Sequence, residues 1–428
     1  SRGLMLSAWL SMQQGKLKES LELINKRLEG DKSDAVAWRL RGQINGMMSD
    51  YDQAVMDLKQ SKVLSDDATT RVILAKIYLK TGRAEDATIE LKSIVEDPQA
   101  PDEARIMLEQ IYSRMGRKEA LDDFYDKILK KLPESVYWYK HAAGFAGGTG
   151  DFAKAEQLYS TALQKSIEQS RADSDALGGY LRAIMAAGKT DKLFEEAGKY
   201  IDGNLAPIAY LWMAEGKIKL GDRATAIQYC KKAVDKAGDN DVMTVQILEK
   251  IYVLLGEQET ELLYKQKLES QPESFTANWS MYNLYRIKGD HSKALEYLDK
   301  TFKTTGADQP QWLFYLTKKA DLLIMAFSKT SDKKYLKDAM ETYESLLEKT
   351  PNNTSILNNV AFILADNNQD LDKALEYVKR ANEMRPDDPE YLDTYATVLY
   401  KQGKYSEALP YEQTAIRQYE AQIGEVPE

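Results

Sequence analysis

The stretch that decides the fold is residues 386–411, PDDPEYLDTYATVLYKQGKYSEALPY. Apolar residues with a helical period lead up to Gly403, and a second run with the same period follows it. Glycine ends a helix well because it adopts a left-handed backbone conformation without a steric penalty. Ala396 precedes Gly403 by seven residues and Ala408 follows it by five, so two helices can approach closely there. The stretch predicts two antiparallel helices joined by a tight turn.

The same turn recurs along nearly the whole chain. Three turn glycines are 34 residues apart, and four more follow at intervals of 38, 33, 35 and 33: Gly82, Gly116, Gly150, Gly188, Gly221, Gly256 and Gly289. Ser49 and Gly15 take the equivalent places before Gly82, and Gly403 follows after three further repeats. The spacing predicts about twelve helical pairs, at residues 1–34, 35–67, 68–101, 102–135, 136–173, 174–206, 207–241, 242–274, 275–310, 311–354, 355–388 and 389–422.

These features resemble the tetratricopeptide repeat (TPR) family: a small residue, an aromatic residue, a turn glycine, an alanine and a closing proline such as Pro386 recur at TPR spacing. The alanine five places after the turn recurs at Ala54, Ala87, Ala155, Ala226, Ala294, Ala339, Ala374 and Ala408. The resemblance implies an all-α, TPR-type α-solenoid, a right-handed superhelix of about twelve antiparallel helix pairs. It also implies that first helices line a concave groove with the second, fifth, ninth and twelfth residues of each unit.

We expect one continuous solenoid that can be divided into three groups of repeats. Residues 1–206 hold repeats one to six, residues 207–310 hold repeats seven to nine, and residues 311–428 hold repeats ten to twelve. Glycines and a looser linker predict a bend near residues 144–206. Repeat ten contains additional residues around SKTSDKKY, an insertion that we expect to form a loop on one edge of the solenoid.

Composition argues against catalysis. The two histidines, His141 and His291, are about four repeats apart, and Cys230 is the single cysteine. Nucleophilic catalysis needs a base beside its nucleophile, and zinc sites need clustered ligands. We therefore expect no enzyme activity, no metal and no cofactor. A formal charge of −9 gives no reason to expect nucleic acid as a partner, and no apolar run is long enough for a membrane span.

Cations occupy the predicted groove positions of most repeats between the second and the ninth. They are Arg39, Lys76, Lys140, Arg182, Lys250 and Arg286, whereas acids at comparable places are fewer: Glu103, Asp175 and Glu215. Trp279 and Asn283 precede Arg286 on the same predicted face. An exposed aromatic side chain there would be a typical interface anchor, and the alternative is that a neighbouring helix packs against the Trp279 ring. A basic groove in an acidic protein predicts capture of an acidic, extended peptide or a C-terminal carboxylate. The alternative is that long basic side chains only solvate a helix face.

The sequence thus predicts a non-enzymatic scaffold or adaptor that binds a protein or peptide. Two alternatives remain open: the targeting arm of a larger enzyme such as a glycosyltransferase, and a module that binds an anionic polysaccharide. Apolar residues in the terminal repeats also allow end-to-end self-association. The last repeats resemble those of bacterial TPR scaffold proteins. The sequence does not decide between the bacterial cytoplasm and the periplasm or envelope as the compartment.

Overall fold

The computed structural model describes residues 2–237, 241–303, 310–386 and 388–424. These residues form 24 α-helices, and no β-strand occurs among them. The chain divides into two compact units, Ser1–Ala187 and Gly188–Glu428. The predicted fold class, an all-α solenoid of TPR-type helix pairs, is confirmed. None of the described helices is both long enough and apolar enough to cross a bilayer.

The first unit contains eleven helices, which alternate as first and second helices of the predicted repeats. Their bounds are α1 Arg2–Gln13, α2 Leu17–Gly30, α3 Ala35–Met47, α4 Tyr51–Leu64, α5 Ala68–Lys80, α6 Ala84–Lys92, α7 Asp102–Arg114, α8 Lys118–Lys131, α9 Val136–Gly148, α10 Phe152–Glu168 and α11 Ser174–Ala186.

The second unit contains thirteen helices. Their bounds are α12 Thr190–Gly198, α13 Ala206–Lys219, α14 Arg223–Lys236, α15 Asp241–Leu255, α16 Glu257–Ser270, α17 Phe275–Lys288, α18 His291–Thr301, α19 Pro310–Thr330, α20 Lys333–Lys349, α21 Thr354–Asp366, α22 Leu371–Met384, α23 Pro389–Lys401 and α24 Tyr405–Gly424. Each of the twelve predicted repeats therefore contains one pair of helices. The grouping into residues 1–206, 207–310 and 311–428, with its bend, stays a prediction.

The turns between paired helices use the left-handed conformation that the sequence predicts. Gly82 has φ 72° and Gly403 has φ 76°, and the other turn glycines also have positive φ, although Gly256 combines its φ of 85° with an extended ψ of 178°. Where glycine is missing, Ser49, Ser331 and Asn368 take the same conformation with φ of 63°, 57° and 50°. The turn geometry is thus kept even where the residue that adopts it most easily is absent.

Small residues bring the paired helices together. The alanines that follow the turns are buried, and Ala54 in α4 has no exposed surface. A Cβ atom on Gly42 in α3 would lie 2.7 Å from Cγ of Leu58 in α4, closer than real side chains approach. The backbones of α3 and α4 can therefore come this close only because position 42 has no side chain.

The additional residues of repeat ten do not form a loop, so that prediction is wrong. They lengthen the two helices, because α19 has 21 residues and α20 has 17, and only Ser331 and Asp332 separate them. The polar residues of this stretch are compatible with helix, and the chain turns only at Ser331. Asp332 then begins α20 by accepting a hydrogen bond from the amide of Lys334.

We expect Gly179→Ala to destabilise the first unit. A Cβ atom at Gly179 in α11 would lie 2.3 Å from a ring carbon of Tyr159 in α10, so the ring would have to move. Overpacking of this kind costs about 1–3 kcal/mol, whereas alanine gains only about 1 kcal/mol over glycine in a helix. Urea unfolding should show a lower midpoint. The control is Gly144→Ala, whose Cβ would make an ordinary 3.5 Å contact with the Tyr159 hydroxyl; a midpoint for G179A at or above that of G144A would contradict the expectation.

Candidate functional site

A cavity of about 270 Å³ lies between α17 and α19, the first helices of repeats nine and ten. Eight residues line it: Trp279, Tyr282, Asn283 and Arg286 from α17, and Lys318, Asp321, Leu322 and Met325 from α19. We call this set the α17–α19 groove. The groove brings together three residues that the sequence predicts as site residues, namely Trp279, Asn283 and Arg286. The next repeat contributes four lining residues, all from α19. The groove is the candidate site of the second unit.

An aromatic cluster forms the wall of the groove. Trp279 is only 5% exposed, so of the two alternatives the structure shows the ring packed by its neighbours. It is covered because aromatic residues surround it, with ring centroids at 4.7 Å for Tyr282, 5.7 Å for Phe314, 6.1 Å for Phe302 and 6.3 Å for Phe275. Such spacings are those of interacting aromatic pairs. The ring still lines the cavity, and its role in binding stays a prediction.

Polar groups of α17 are buried behind this wall. The side-chain amide of Asn283 donates to the carbonyl oxygen of Trp279 at 2.9 Å, one turn earlier in the helix. The indole Nε1 of Trp279 is buried and finds no acceptor among the described residues. A buried donor without a partner is costly, and such groups in a folded protein call for an explanation. Asn283 is therefore bonded within α17 itself, while the indole N–H is left without a protein acceptor.

Charged side chains surround the opening of the groove. Arg286 is half-buried, and no ion pair or hydrogen bond to it is found within the part of the chain that the structure describes. The Lys318 ammonium lies 5.5 Å from the centroid of Phe314. Burial raises the pKa of Asp321, an effect that Lys318 opposes. Burial also raises the pKa of Tyr282; Arg286 opposes this shift and Asp321 adds to it. Two cations thus face one carboxylate, which leaves the groove net positive.

The comparison with known sequences agrees with the paired helices. Residues 359–423, which span the last two repeats, match the family model described as tetratricopeptide repeat. The chain contains tetratricopeptide repeats. Outside the matched residues, each repeat contains a pair of helices, and a buried alanine follows the turn in six of the ten repeats: Ala54, Ala87, Ala155, Ala226, Ala294 and Ala339.

The similarity to curated relatives is confined to short segments. A TPR repeat-containing protein of Pseudomonas aeruginosa is 33% identical over 74 residues, which are 17% of this chain and 12% of the relative. Tetratricopeptide repeat protein 21B of Xenopus laevis is 22% identical over 116 residues, 27% of this chain and 9% of the relative. The matches therefore span only about a tenth of the length of these relatives.

Two solved structures are similar over larger parts of the chain. One is the structure of Naa15/Naa10 bound to HypK-THB, which is 14% identical with a TM-score of 0.40 and covers 96% of this chain and 68% of that chain. The other is a tetratricopeptide repeat protein from Parabacteroides merdae, 16% identical with a TM-score of 0.33, covering 58% of this chain and 97% of that chain.

Most of the predicted groove cations are neutralised by a neighbouring TPR unit. The pairs are Arg39–Asp67 at 2.9 Å, Lys76–Glu103 at 2.7 Å, Lys140–Asp173 at 2.9 Å and Lys250–Glu215 in close contact. Arg182 is also engaged by another group. The expected ladder of unbalanced positive charge is therefore wrong at these positions, because each carboxylate lies on, or caps, the first helix of an adjacent repeat. Their part in binding a partner stays a prediction.

The sequence did not reveal the contribution of α19 to the groove. The α17 residues 279, 282, 283 and 286 correspond to 318, 321, 322 and 325 with a constant offset of 39 residues. When groove positions are counted from Gln311, the predicted start of repeat ten, the groove residues of α19 are placed three positions too early. A search for the 39-residue offset would have aligned Lys318 with Trp279 and Met325 with Arg286.

A second cavity, in the first unit, is larger but less suited to an anion. It measures about 450 Å³ and lies where α9 meets the segment that leads into α11. Lys140 and Arg171 line it together with Asp173 and Asp175, and both carboxylates contact the Lys140 ammonium, at 2.9 and 3.5 Å. Burial alone would lower the pKa of Lys140, but its hydrogen bonds to Asp173 outweigh burial and raise it. The local charge is thus already balanced.

Groups capable of nucleophilic or metal chemistry are not assembled near the groove. Cys230 is fully buried, and burial raises the pKa of its thiol to about 12, so the reactive thiolate is suppressed. His141 contacts Glu109 at 2.7 Å and stacks on Tyr137 in the first unit. The described part of the chain contains no group of three or more His, Cys, Asp or Glu side chains that could hold a metal ion.

Proposed function

We propose that this chain is a non-catalytic protein-interaction scaffold that binds an extended, acidic protein segment in the α17–α19 groove. Tetratricopeptide repeats are typical of protein-interaction scaffolds. The observation that carries the proposal is the pair Arg286 and Lys318, which line one cavity together with a single carboxylate, Asp321. A concave surface with low-dielectric walls concentrates the potential of such charges and favours an anionic ligand.

The dimensions of the groove suit a short piece of extended chain. Its lining residues run from position 279 to 286 on α17 and from 318 to 325 on α19. Seven helical steps of 1.5 Å cover roughly 10 Å, and an extended peptide covers that length with about three residues at 3.3 Å each. The groove is therefore a local anchor for a longer segment, and carboxylates near the anchor would meet Arg286 and Lys318.

The remaining predicted cations contribute less in this proposal. Arg39, Lys76, Lys140 and Lys250 each have a carboxylate partner, so a ligand carboxylate would have to displace that partner to bind. Exchange of one ion pair for another brings little net energy on a solvent-accessible surface. We expect these residues, together with Arg182, to act as secondary contacts for a segment held at the α17–α19 groove.

Reversing both groove charges should weaken peptide binding by about tenfold or more, since losing a partner of a charged contact commonly costs over 2 kcal/mol. Peptides selected from a random displayed library against the whole chain should be enriched in Asp and Glu. The affinity of a selected peptide is then measured for the unaltered chain and for Arg286→Glu/Lys318→Glu, with a larger loss expected at low salt.

The matched control reverses two exposed lysines on second helices, Lys337→Glu/Lys379→Glu in α20 and α22. It changes the net charge equally and should leave the affinity within twofold. Selected peptides without acidic enrichment, or equal losses in the two double variants, would refute the proposal. Binding of an anionic polysaccharide in place of peptides would favour the alternative ligand.

A further inference from the structure

The α17–α19 groove has two chemically different parts. Its wall is formed by the rings of Trp279 and Tyr282 and by the aliphatic side chain of Leu322, with Met325 at the edge. Its charges, Arg286, Lys318 and Asp321, lie beside this apolar wall. A ligand that carried only carboxylates would use the cations and leave the apolar cavity without a matching surface.

The cavity is large enough for a side chain. Its polar and apolar parts together measure about 270 Å³, and an apolar cavity of about 150 Å³ is enough to hold a benzene ring. The wall is aromatic on the α17 side, and Met325 adds a polarisable sulfur that interacts favourably with ring edges. Phe314, whose ring is 40% exposed, extends the aromatic surface next to Trp279. These features suit an aromatic side chain better than a branched aliphatic one.

We infer that the α17–α19 groove binds an aromatic side chain of an acidic protein segment. Arg286 and Lys318 hold a carboxylate, which is either the C-terminal carboxylate of the aromatic residue itself or a carboxylate of the adjacent residue. This inference rests on the proposed function and adds the specificity of the site. Two residues then decide which segments bind: Met325 limits the width of the apolar cavity at its edge, and Arg286 sets the distance at which the carboxylate must follow the ring.

Small probes separate the two parts of the site. N-acetyl-phenylalanine carries a ring and a carboxylate, N-acetylglycine only the carboxylate, and N-acetyl-phenylalaninamide only the ring. The indole N–H resonance of Trp279, assigned with Trp279→Phe among the six tryptophans, reports on the cavity that its ring lines. We expect N-acetyl-phenylalanine to saturate the shift at a concentration about tenfold lower than either other probe, because ring burial and the charge contact act together.

Variants of the whole chain test each part. Met325→Trp should fill the cavity and remove the advantage of N-acetyl-phenylalanine over N-acetylglycine, whereas Arg286→Glu/Lys318→Glu should remove its advantage over the amide. The matched control is Met384→Trp in α22, because Met384 and Met325 are both 44% exposed. Unchanged helicity and midpoint of unfolding would show that M325W and M384W are folded.

Equal saturation by N-acetyl-phenylalanine and N-acetylglycine would overturn the inference, as would an unchanged tenfold preference in M325W. The proposed function fails in a different way. If selected acidic peptides depend on Arg286 and Lys318 while the ring brings no gain, the scaffold proposal stands and the aromatic specificity is lost. If the ring preference is found and acidic peptides are not enriched, the specificity of the cavity stands and the acidic segment is wrong.

Discussion

Replacing Arg105 by methionine should destabilise the first unit by about 2–5 kcal/mol, because it leaves the buried carbonyl groups of Val95 and Ala100 without their donor. Arg105 in α7 is only 2% exposed. Its guanidinium donates to the carbonyl oxygens of Val95 and Ala100, both at 3.0 Å, and to that of Asp97. These carbonyls belong to the segment between α6 and α7. The carbonyl of Asp97 also accepts a hydrogen bond from the amide of Ala100 at 2.9 Å, so those of Val95 and Ala100 depend most on Arg105. Arg105 thus holds the connection between repeats three and four.

The measurement is urea unfolding together with hydrogen exchange of the amides of residues 93–101. Exchange should accelerate in R105M before global unfolding, since the segment loses its central donor. The control is Arg114→Met, which removes an exposed arginine from the same helix and should change stability by less than about 0.5 kcal/mol. Similar midpoints for R105M and R114M would show that the guanidinium is dispensable.

Replacing Asp57 by alanine should cost about 3–5 kcal/mol, because it leaves the Arg41 charge without its partner. Asp57 in α4 is 1% exposed and accepts hydrogen bonds from Nε and Nη2 of Arg41 at 2.9 and 2.7 Å. The side-chain amides of Asn45 and Gln53 add two more, at 2.8 and 2.9 Å. The carboxylate is therefore the common acceptor of the α3–α4 hairpin.

A double-mutant cycle tests whether the loss comes from the unpaired charge. Apolar replacement of a whole buried ion pair is often neutral, so Arg41→Met/Asp57→Leu should recover much of the stability that Asp57→Leu alone loses. The free energies of unfolding of the single variants Arg41→Met and Asp57→Leu and of the double variant are compared. Strict additivity of the single losses would mean that the two side chains do not act as a pair.

Local features of the sequence were enough to predict the repeat. The turn at Gly403 and the buried Ala408 depend on backbone conformation and helix packing within one hairpin, so their positions could be inferred from spacing alone. Ser331 takes the left-handed conformation without being glycine, which spacing did not reveal. The spacing therefore predicts a loop in repeat ten that the structure does not contain. It also places the start of repeat ten, and with it the groove residues of α19, three residues too early.

The sequence by itself determined the fold class, the number of helix pairs and the face on which Arg286 lies. Only the tertiary structure decided which charges are already neutralised, that the Trp279 ring is covered, and that Lys318 and Met325 complete the groove. The physical reason is distance along the chain: Arg39 meets Asp67 across 28 residues, and the two sides of the groove are 39 residues apart. Contacts of this length depend on how neighbouring repeats are stacked, which periodicity within a repeat does not encode.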